Sequence, residues 1–336
     1  MRVFRALLSR LVTTAITLIG VAVIVFVVVR VVPGNPIAMM LPPGATEADI
    51  ARLTALYGLD GSIWEQFRIW AAAVVTGDFG TSITTRQPVL GLVLGRLPAT
   101  LELSVLALGI AVLLGGGAAI LGTRLRGSAV EAGIDVAGGM ALSVADFLWG
   151  LLLVLVLGVL WPVFPISGRV SPALELPFVT DFYLAEALVR LRFDLVGNLL
   201  SHMILPAVAL AIPLAAIIAQ LLKQSLKETM HLDYVTLART KGYGETRVIW
   251  REALPNAALP TLTLIGVQFT FLIGGTVIVE RLFSYEGLGN MAIDAVINRD
   301  LPLIQGIVIL FAVIFTGVNL LVDLLYASLN PRLRHG

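Results

Sequence analysis

The sequence predicts an all-α membrane protein with six transmembrane helices and both termini in the cytoplasm. Three observations carry that prediction. The 336-residue chain is 58% hydrophobic and only 13% charged, about half the charged share of a soluble domain. Its apolar residues gather into runs of about 20, the length that crosses a hydrocarbon core as helix. Its cations are shared unevenly among the connections between those runs. The chain has no cysteine, which excludes disulfides, thiolate metal sites and a cysteine nucleophile.

The N-terminus, MRVFRALLSR, is basic and leads into the apolar run Leu11–Val32. That run exceeds the roughly 7–15 residues of a signal-peptide core and has no small-residue cleavage site. Residues 1–32 therefore read as a first transmembrane helix, ended by Pro33 and Pro36, since proline donates no backbone hydrogen bond and disfavours helix before it. Residues 33–97 form a mixed segment expected in the periplasm. A short helix opens there with Thr46 as N-cap, Asp49 three residues on and Gly58 as its stop. A second short helix is expected over Ile63–Val75. GDFGTS (Gly77–Ser82) and Arg86–Pro88 are turn-like.

Residues 98–326 hold five further spans, expected at Pro98–Gly122, Ala132–Leu160, Met203–Leu222, Ala257–Val279 and Leu303–Tyr326. Within this core, 161–201 is rich in proline and aromatics and reads as a second periplasmic segment. Residues 223–256 form a polar loop, and 327–336 a tail. With six spans the termini share a side with the 124–131 connection and the 223–256 loop. That side carries thirteen cations against five acids. The excess of Lys and Arg places it in the cytoplasm.

The loop contains DYVTLARTKGYGETRVIWREALP, from Asp233 to Pro255. Asp233 is placed to N-cap a helix over Tyr234–Lys241, and Gly242 to end it in the left-handed conformation. Glu245 suits the start of a second short helix that finishes before Pro255. Ala238 and Gly242 lie four apart and define a small, flat face flanked by Arg239 and Lys241. Such a face suits close approach by another protein.

Ala238, Gly242 after three intervening residues and Leu254-Pro255 twelve beyond resemble the EAA loop of ABC importer permeases. Thr236-Leu237-Ala238 stands for EAA, and Glu252 stands where isoleucine is usual. Asp233-Tyr234-Val235 with Ala238-Arg239 and Lys241-Gly242 is similar to the version in the dipeptide, oligopeptide and nickel permeases. Val32–Pro36, Gly77–Ser82, Arg96–Leu101, Gly274–Glu280, Gly287–Gly289, Arg299-Asp300, Asp323–Tyr326 and Asn330–Arg332 resemble further elements of that family, in order along nearly the whole chain. The resemblance is to the first, B-type, permease of the usual pair. It implies a type I ABC importer permease fold in the bacterial inner membrane. Partners would be a second homologous permease, two ATP-binding cassette ATPases, a periplasmic or lipid-anchored solute-binding protein and the surrounding lipid. Asp233, Tyr234, Ala238, Arg239, Lys241, Gly242, Leu254 and Pro255 would form the segment that couples the spans to an ATPase. The chain contains no G-x-x-x-x-G-K-[ST]. It is accordingly expected to be no enzyme and to bind no cofactor, with ATP and Mg²⁺ held by the ATPases.

Ionisable groups at membrane depth are functional candidates by default. Asp146 stands near the middle of the third span, in ALSVADFLWGLL, where the resembled family usually reads serine, x, proline, x, phenylalanine and Ala145 replaces the proline. Facing a cavity, its carboxylate would attract a cationic group such as a peptide amino terminus; otherwise it pairs with a polar group on a neighbouring helix. On a continuous helix Asp135, eleven residues earlier, shares its face. Glu102 reads as an interface residue near the outer end of its span. In the fifth span Gly266, Thr270 and Gly274 recur every four residues, a face for close packing. Thr261, Gln268 and Gly275 recur every seven, with Gln268 a candidate to line a path. The three histidines, at 202, 231 and 335, do not pair at metal-ligand spacing. No catalytic residue, metal site or nucleic-acid surface is expected. The function implied is ATP-driven import of peptides. Import of nickel chelates or another small polar solute is the alternative. An ion-coupled secondary transporter would need paired inverted repeats, which the sequence lacks.

Overall fold

The computed structural model describes residues 2–31, 46, 61–172, 174 and 178–329. The helix expected from Thr46 to Gly58, the Val32–Pro36 element and the Asn330–Arg332 ending lie outside these, apart from Thr46 itself, as does the side chain of Asp323. Among the described residues the only extended pairing is an isolated bridge between Thr81 and Pro88. Everything else regular among them is helical: α1 (Arg2–Val31), α2 (Ile63–Val75), α3 (Val89–Arg124), α4 (Ala129–Ser143), α5 (Asp146–Leu153), α6 (Tyr183–Val189), α7 (Phe193–Thr229), α8 (Asp233–Thr240), α9 (Leu254–Leu282), α10 (Leu288–Ile297) and α11 (Leu301–Leu329), with a short α-helical turn over Glu245–Arg247 and π-helical stretches over Val154–Leu160 and Val248–Ala253.

Four helical stretches are long and apolar enough to cross a membrane: Val89–Arg124, Phe193–Thr229, Glu245–Leu282 and Leu301–Val322. Residues 129–143 and 146–160 make a fifth if taken as one span, bent by 103° at the break between them. α1 carries a shorter described apolar stretch, Val12–Val28. Four of the expected spans thus reappear with shifted ends, and the third as the bent pair. The second begins at Val89, not Pro98, because the helix runs through that proline. Its inward side chains Val93, Ala99 and Leu103 are all buried, and packing of this kind outweighs the roughly 3 kcal/mol propensity cost of an interior proline.

The chain divides into two units. One comprises residues 1–97 and 291–317. In it Phe26 of α1 is buried against Phe67 and Trp70 of α2, with ring centroids 5.1 and 5.4 Å apart. α2 has the bounds read from the sequence, and Ser62 caps it by accepting from the Glu65 N–H. Asp300, wholly buried, ties the Gly77–Pro88 turn to the start of α11. It accepts from Ser82 Oγ at 2.5 Å, from the Thr84 N–H at 3.0 Å and from the Leu303 N–H at 3.3 Å.

The other unit comprises residues 98–290 and 318–336. Its pillar is α7, with 56% of its apolar window buried, against 28% for α3 and for the Glu245–Leu282 helix. Leu199, Met203, Leu210, Leu214 and Ile218 of α7 face the core, while α3 shows Leu113 and Val105 outward, as suits a lipid surround. Close approach is built in at Gly266: a Cβ there would sit 2.5 Å from the Val322 methyls of α11. One turn on, Thr270 is buried and its Oγ1 lies 3.5 Å from Asn319 Oδ1. The packing face read from the sequence holds for these two residues, whereas Gly274 has open space beside it.

Two buried acids tie elements together, and the first of them sits differently from expectation. Glu102 is not an interface residue but is buried. It pairs with Arg169 at 2.8 Å and accepts the Ala185 N–H at 3.0 Å. Arg169 also donates to the Asp181 carbonyl at 2.7 Å and stacks 3.9 Å over the Tyr183 ring. The pair fastens the segment before α6 to α3. Glu280, fully buried at the end of α9, accepts from Thr100 Oγ1 at 2.7 Å and from the N–H groups of Gly289 and Asn290 at 2.7 and 3.1 Å.

Candidate functional site

The loop between α7 and α9 folds as two helical pieces around a core of its own. Val235 and Ala238 of α8 are buried with Leu222 and Leu226 of α7, with Met230 that caps it, and with Val248, Ile249 and Ala253 of the π-helical stretch. α8 begins one residue earlier than a cap at Asp233 would require. Leu232 occupies the N-cap position without a side-chain bond, and Asp233 is the first helical residue, where a carboxylate still favours the helix dipole. The end is as read from sequence. Gly242 has φ +81°, its N–H bonds to the Arg239 carbonyl, and the Tyr243 N–H bonds to the Ala238 carbonyl, the paired closure of a Schellman turn.

The face expected from Ala238 and Gly242 is corrected. Ala238 is 5% exposed and serves this chain's own packing, because positions 235 and 238 both turn toward α7. The outward surface includes Tyr234, Leu237, Lys241 and Gly242. Arg239 braces it by donating to Glu245 at 2.8 Å and to the Met230 carbonyl at 3.2 Å; the Glu245 bond raises the guanidinium pKa further above its ordinary value. The Arg247 guanidinium lies 3.9 Å over the Tyr243 ring, and Asn256 Nδ2 donates to Tyr234 Oη at 2.8 Å.

The second helical piece does not stop before Pro255. Glu245–Arg247, the π-helical stretch and α9 run on as one helix of 38 residues. Proline within an α-helix collides with the carbonyl four residues back. The wider i→i+5 turns of Val248–Ala253 relax that crowding, and Pro255 falls in the first turn of α9. Leu254 is half-buried and Pro255 exposed.

The third span is not continuous. α4 ends at Ser143, Val144 and Ala145 are extended (ψ 131° and 149°), and α5 starts at Asp146. The shared face of Asp135 and Asp146 is therefore lost. Asp135 pairs with Lys223 at 2.8 Å, whereas Asp146 Oδ1 accepts its neighbour Phe147 N–H at 2.8 Å and meets no cation among the described residues. A Cβ on Gly275 of α9 would lie 3.8 Å from Asp146 Oδ2. Gln268 is half-buried and two turns from Gly275 on the same side of α9, about 10.5 Å along the axis. The two path candidates thus flank one helix face but do not touch. Sequence reasoning gave no role to Thr100, Arg169 or Glu280; a signal lay in the Arg96–Leu101 and Gly274–Glu280 elements that contain two of them.

Several apolar helices long enough to cross a membrane, with a braced polar loop feeding one of them, mark a multi-pass membrane protein. Comparison with known proteins identifies which kind. Residues 108–335 match the family described as binding-protein-dependent transport system inner membrane component, and residues 3–104 match its N-terminal counterpart. The chain is 38% identical to the dipeptide transport system permease protein DppB of Escherichia coli (strain K12), covering 98% of each. It is 31% identical to the oligopeptide transport system permease protein AppB of Bacillus subtilis (strain 168), covering 95% of each. A distant likeness exists to a crystal structure of an amino acid ABC transporter with histidines, at 18% identity and TM-score 0.49 over 71% of this chain and 94% of that one. The chain belongs to the binding-protein-dependent inner membrane permease family. It is a multi-pass inner-membrane transport subunit rather than an enzyme, and works with ATPase and solute-binding partners.

Proposed function

We propose that this chain is the first, B-type, permease of a pair that imports peptides. On this reading it has the type I importer permease fold, with α1 as a first span, the bent α4–α5 pair as one span, six spans in all and both termini in the cytoplasm. A second homologous permease completes the pathway, two ABC ATPases bind below, and a periplasmic or lipid-anchored binding protein delivers the solute. ATP and Mg²⁺ reside on the ATPases. The observation that carries this reading is 38% identity along 98% of both chains to a dipeptide permease. The braced loop supports it: Tyr234, Leu237, Lys241 and Gly242 present a fixed surface on a helix pair whose second member continues directly into a span. That surface docks on an ATPase, so ATP-driven closure moves α9.

Asp146 and Gln268 line the peptide path. Asp146 lies at a break in a membrane helix, and its charge is favoured by the first turn of α5 and compensated by no described cation. A free peptide amino terminus supplies the missing positive charge. Two measurements test the proposal. Purification of the tagged chain from native membranes should bring down a second permease, ATPases and a binding protein; a chain that comes alone and transports in liposomes without ATP overturns it. Asp146→Asn should weaken ATP-driven uptake of free-amine peptides about tenfold more than that of N-acetylated ones, as loss of a charge-assisted hydrogen bond of roughly 1.5 kcal/mol implies. Equal weakening removes Asp146 from the path.

A further inference from the structure

Two cavities meet at Arg124. The first, about 460 Å³, runs along the end of α3 beneath Leu113, Gly116, Gly117 and Ile120 and is closed by Ile249 and Trp250. Its walls are apolar apart from Arg124 and Thr246. The second, about 220 Å³, is bounded by Arg124, Arg126, Lys223, Lys227, His231 and Arg239, with Glu131 and Glu245 as its acids. Both acids are already engaged. Lys223 pairs with Glu131 at 2.7 Å and Arg239 with Glu245 at 2.8 Å. Among the described residues Arg124, Arg126 and Lys227 have no ion-pair partner. A cradle with surplus positive charge therefore opens into an oily groove, at the end of a membrane helix and beside an exposed tryptophan of the kind that marks a membrane interface.

We propose that this composite site binds an anionic phospholipid, its phosphate among Arg124, Arg126 and Lys227 and one acyl chain in the groove along α3. Charge and shape together select that occupant. A free phosphate would use the cradle and leave the groove empty, and an apolar helix would fill the groove and leave the cations unmet. Basic pockets between membrane helices on the cytoplasmic side recruit anionic headgroups. The site joins α3, α7, α8 and the stretch before α9, so a bound lipid fastens the loop to the membrane plane. The proposal rests on the reading above that this end of the bundle lies at the inner leaflet.

The test is native mass spectrometry with lipid extraction on the assembled importer, purified in a neutral detergent and titrated with phosphatidylglycerol. About one phosphatidylglycerol per chain should survive delipidation. Arg124→Gln and, separately, Lys227→Gln should each weaken retention about fivefold, the equivalent of roughly 1 kcal/mol per cation near a lipid surface. Gly116→Phe should weaken it at least as much without touching a cation, since a Cβ there meets nothing within 4 Å and the ring would fill the groove. Retention of no phospholipid, or retention unchanged by both cation variants, overturns the site. Retention unaffected by Gly116→Phe reduces it to a free-anion site, and a high-yield crosslink from Leu113→Cys to the second permease gives the groove to a protein helix; either result overturns the lipid. These outcomes are read with the ATPase attached, so they are distinct from failure of the ATPase to co-purify, which would strike the importer reading instead.

Discussion

Removing Arg169 should unfasten the segment that precedes α6, and the structure sets the size of the effect. The Arg169 and Glu102 side chains are 5% and 8% exposed. Arg169→Met therefore leaves a carboxylate buried with one remaining described donor, the Ala185 N–H, and removes the bond to the Asp181 carbonyl and the stack on Tyr183. Breaking a buried pair from one side costs about 3–5 kcal/mol. A surface pair would cost about 0.2–1 kcal/mol. Glu102→Leu alone strands the guanidinium and should cost a similar amount. In the double variant neither charge is left alone, so it should be less destabilised than the sum of the singles by at least about 2 kcal/mol, within the coupling range of contacting residues. The absence of native cysteine makes a local assay clean. Ala187→Cys, at a wholly buried position of α6 in this otherwise cysteine-free chain, reports opening through its labelling rate, alongside thermal unfolding in detergent. Single variants that cost less than about 1 kcal/mol, or costs that simply add, would refute the argument that burial gives this pair its weight.

Gly242→Val forces a β-branched residue into φ +81° and should cost about 1–2 kcal/mol, with less ATPase recovered on purification; Gly242→Asn should restore most of it, and equal recovery from all three proteins would count against the turn. Gly266→Ala places a Cβ 2.5 Å from Val322 and should destabilise by about 1–3 kcal/mol; adding Val322→Ala should recover most of the melting temperature, and no recovery would mean the helices part elsewhere. Glu186 accepts from the Thr180 hydroxyl and from the Val179 and Thr180 N–H groups and pairs with Arg190, which brings its pKa from 4.5 down to about 2. Because the folded value is the lower one, order at residues 178–186 should be complete above pH 4.5 and fade as pH falls toward 2. A spin label at Val179→Cys should gain mobility over that window, and Glu186→Gln should be mobile and pH-independent; a flat native profile would contradict the reading.

What was legible in the sequence was what short-range physics decides. Apolar length placed the long helices, Ile63–Val75 took its predicted bounds, and Gly242 ended α8 where a left-handed residue was required. The misses belong to contacts far apart in sequence. Nothing in ALSVADFL breaks a helix by propensity, since Ala145 stands where the resembled family has proline. Yet α4 stops, and Gly150 of α5 packs so closely on Leu282 and Phe283 that a Cβ would lie 2.7 Å from the Leu282 side chain. Glu102 is 67 residues from its partner Arg169, and Glu280 is 180 from Thr100, so neither pairing leaves a local trace. Ala238 misled for another reason. Its smallness fits close packing against any surface, and only the position of Val235 on the same side of α8 shows that the surface is the chain's own.

The unbroken helix from Glu245 to Leu282 has a mechanical meaning. Its 38 residues measure about 57 Å at 1.5 Å per residue, nearly twice a hydrocarbon core of about 30 Å. A close crossing on it, at Gly266 against Val322, stands about 32 Å from the Glu245 end and about 24 Å from the Leu282 end. A rod seated on such a fulcrum is a lever with arms in the ratio of about four to three. Rocking about that crossing, an ångström of travel beside the loop returns about three-quarters of an ångström, in the opposite direction, at the far end.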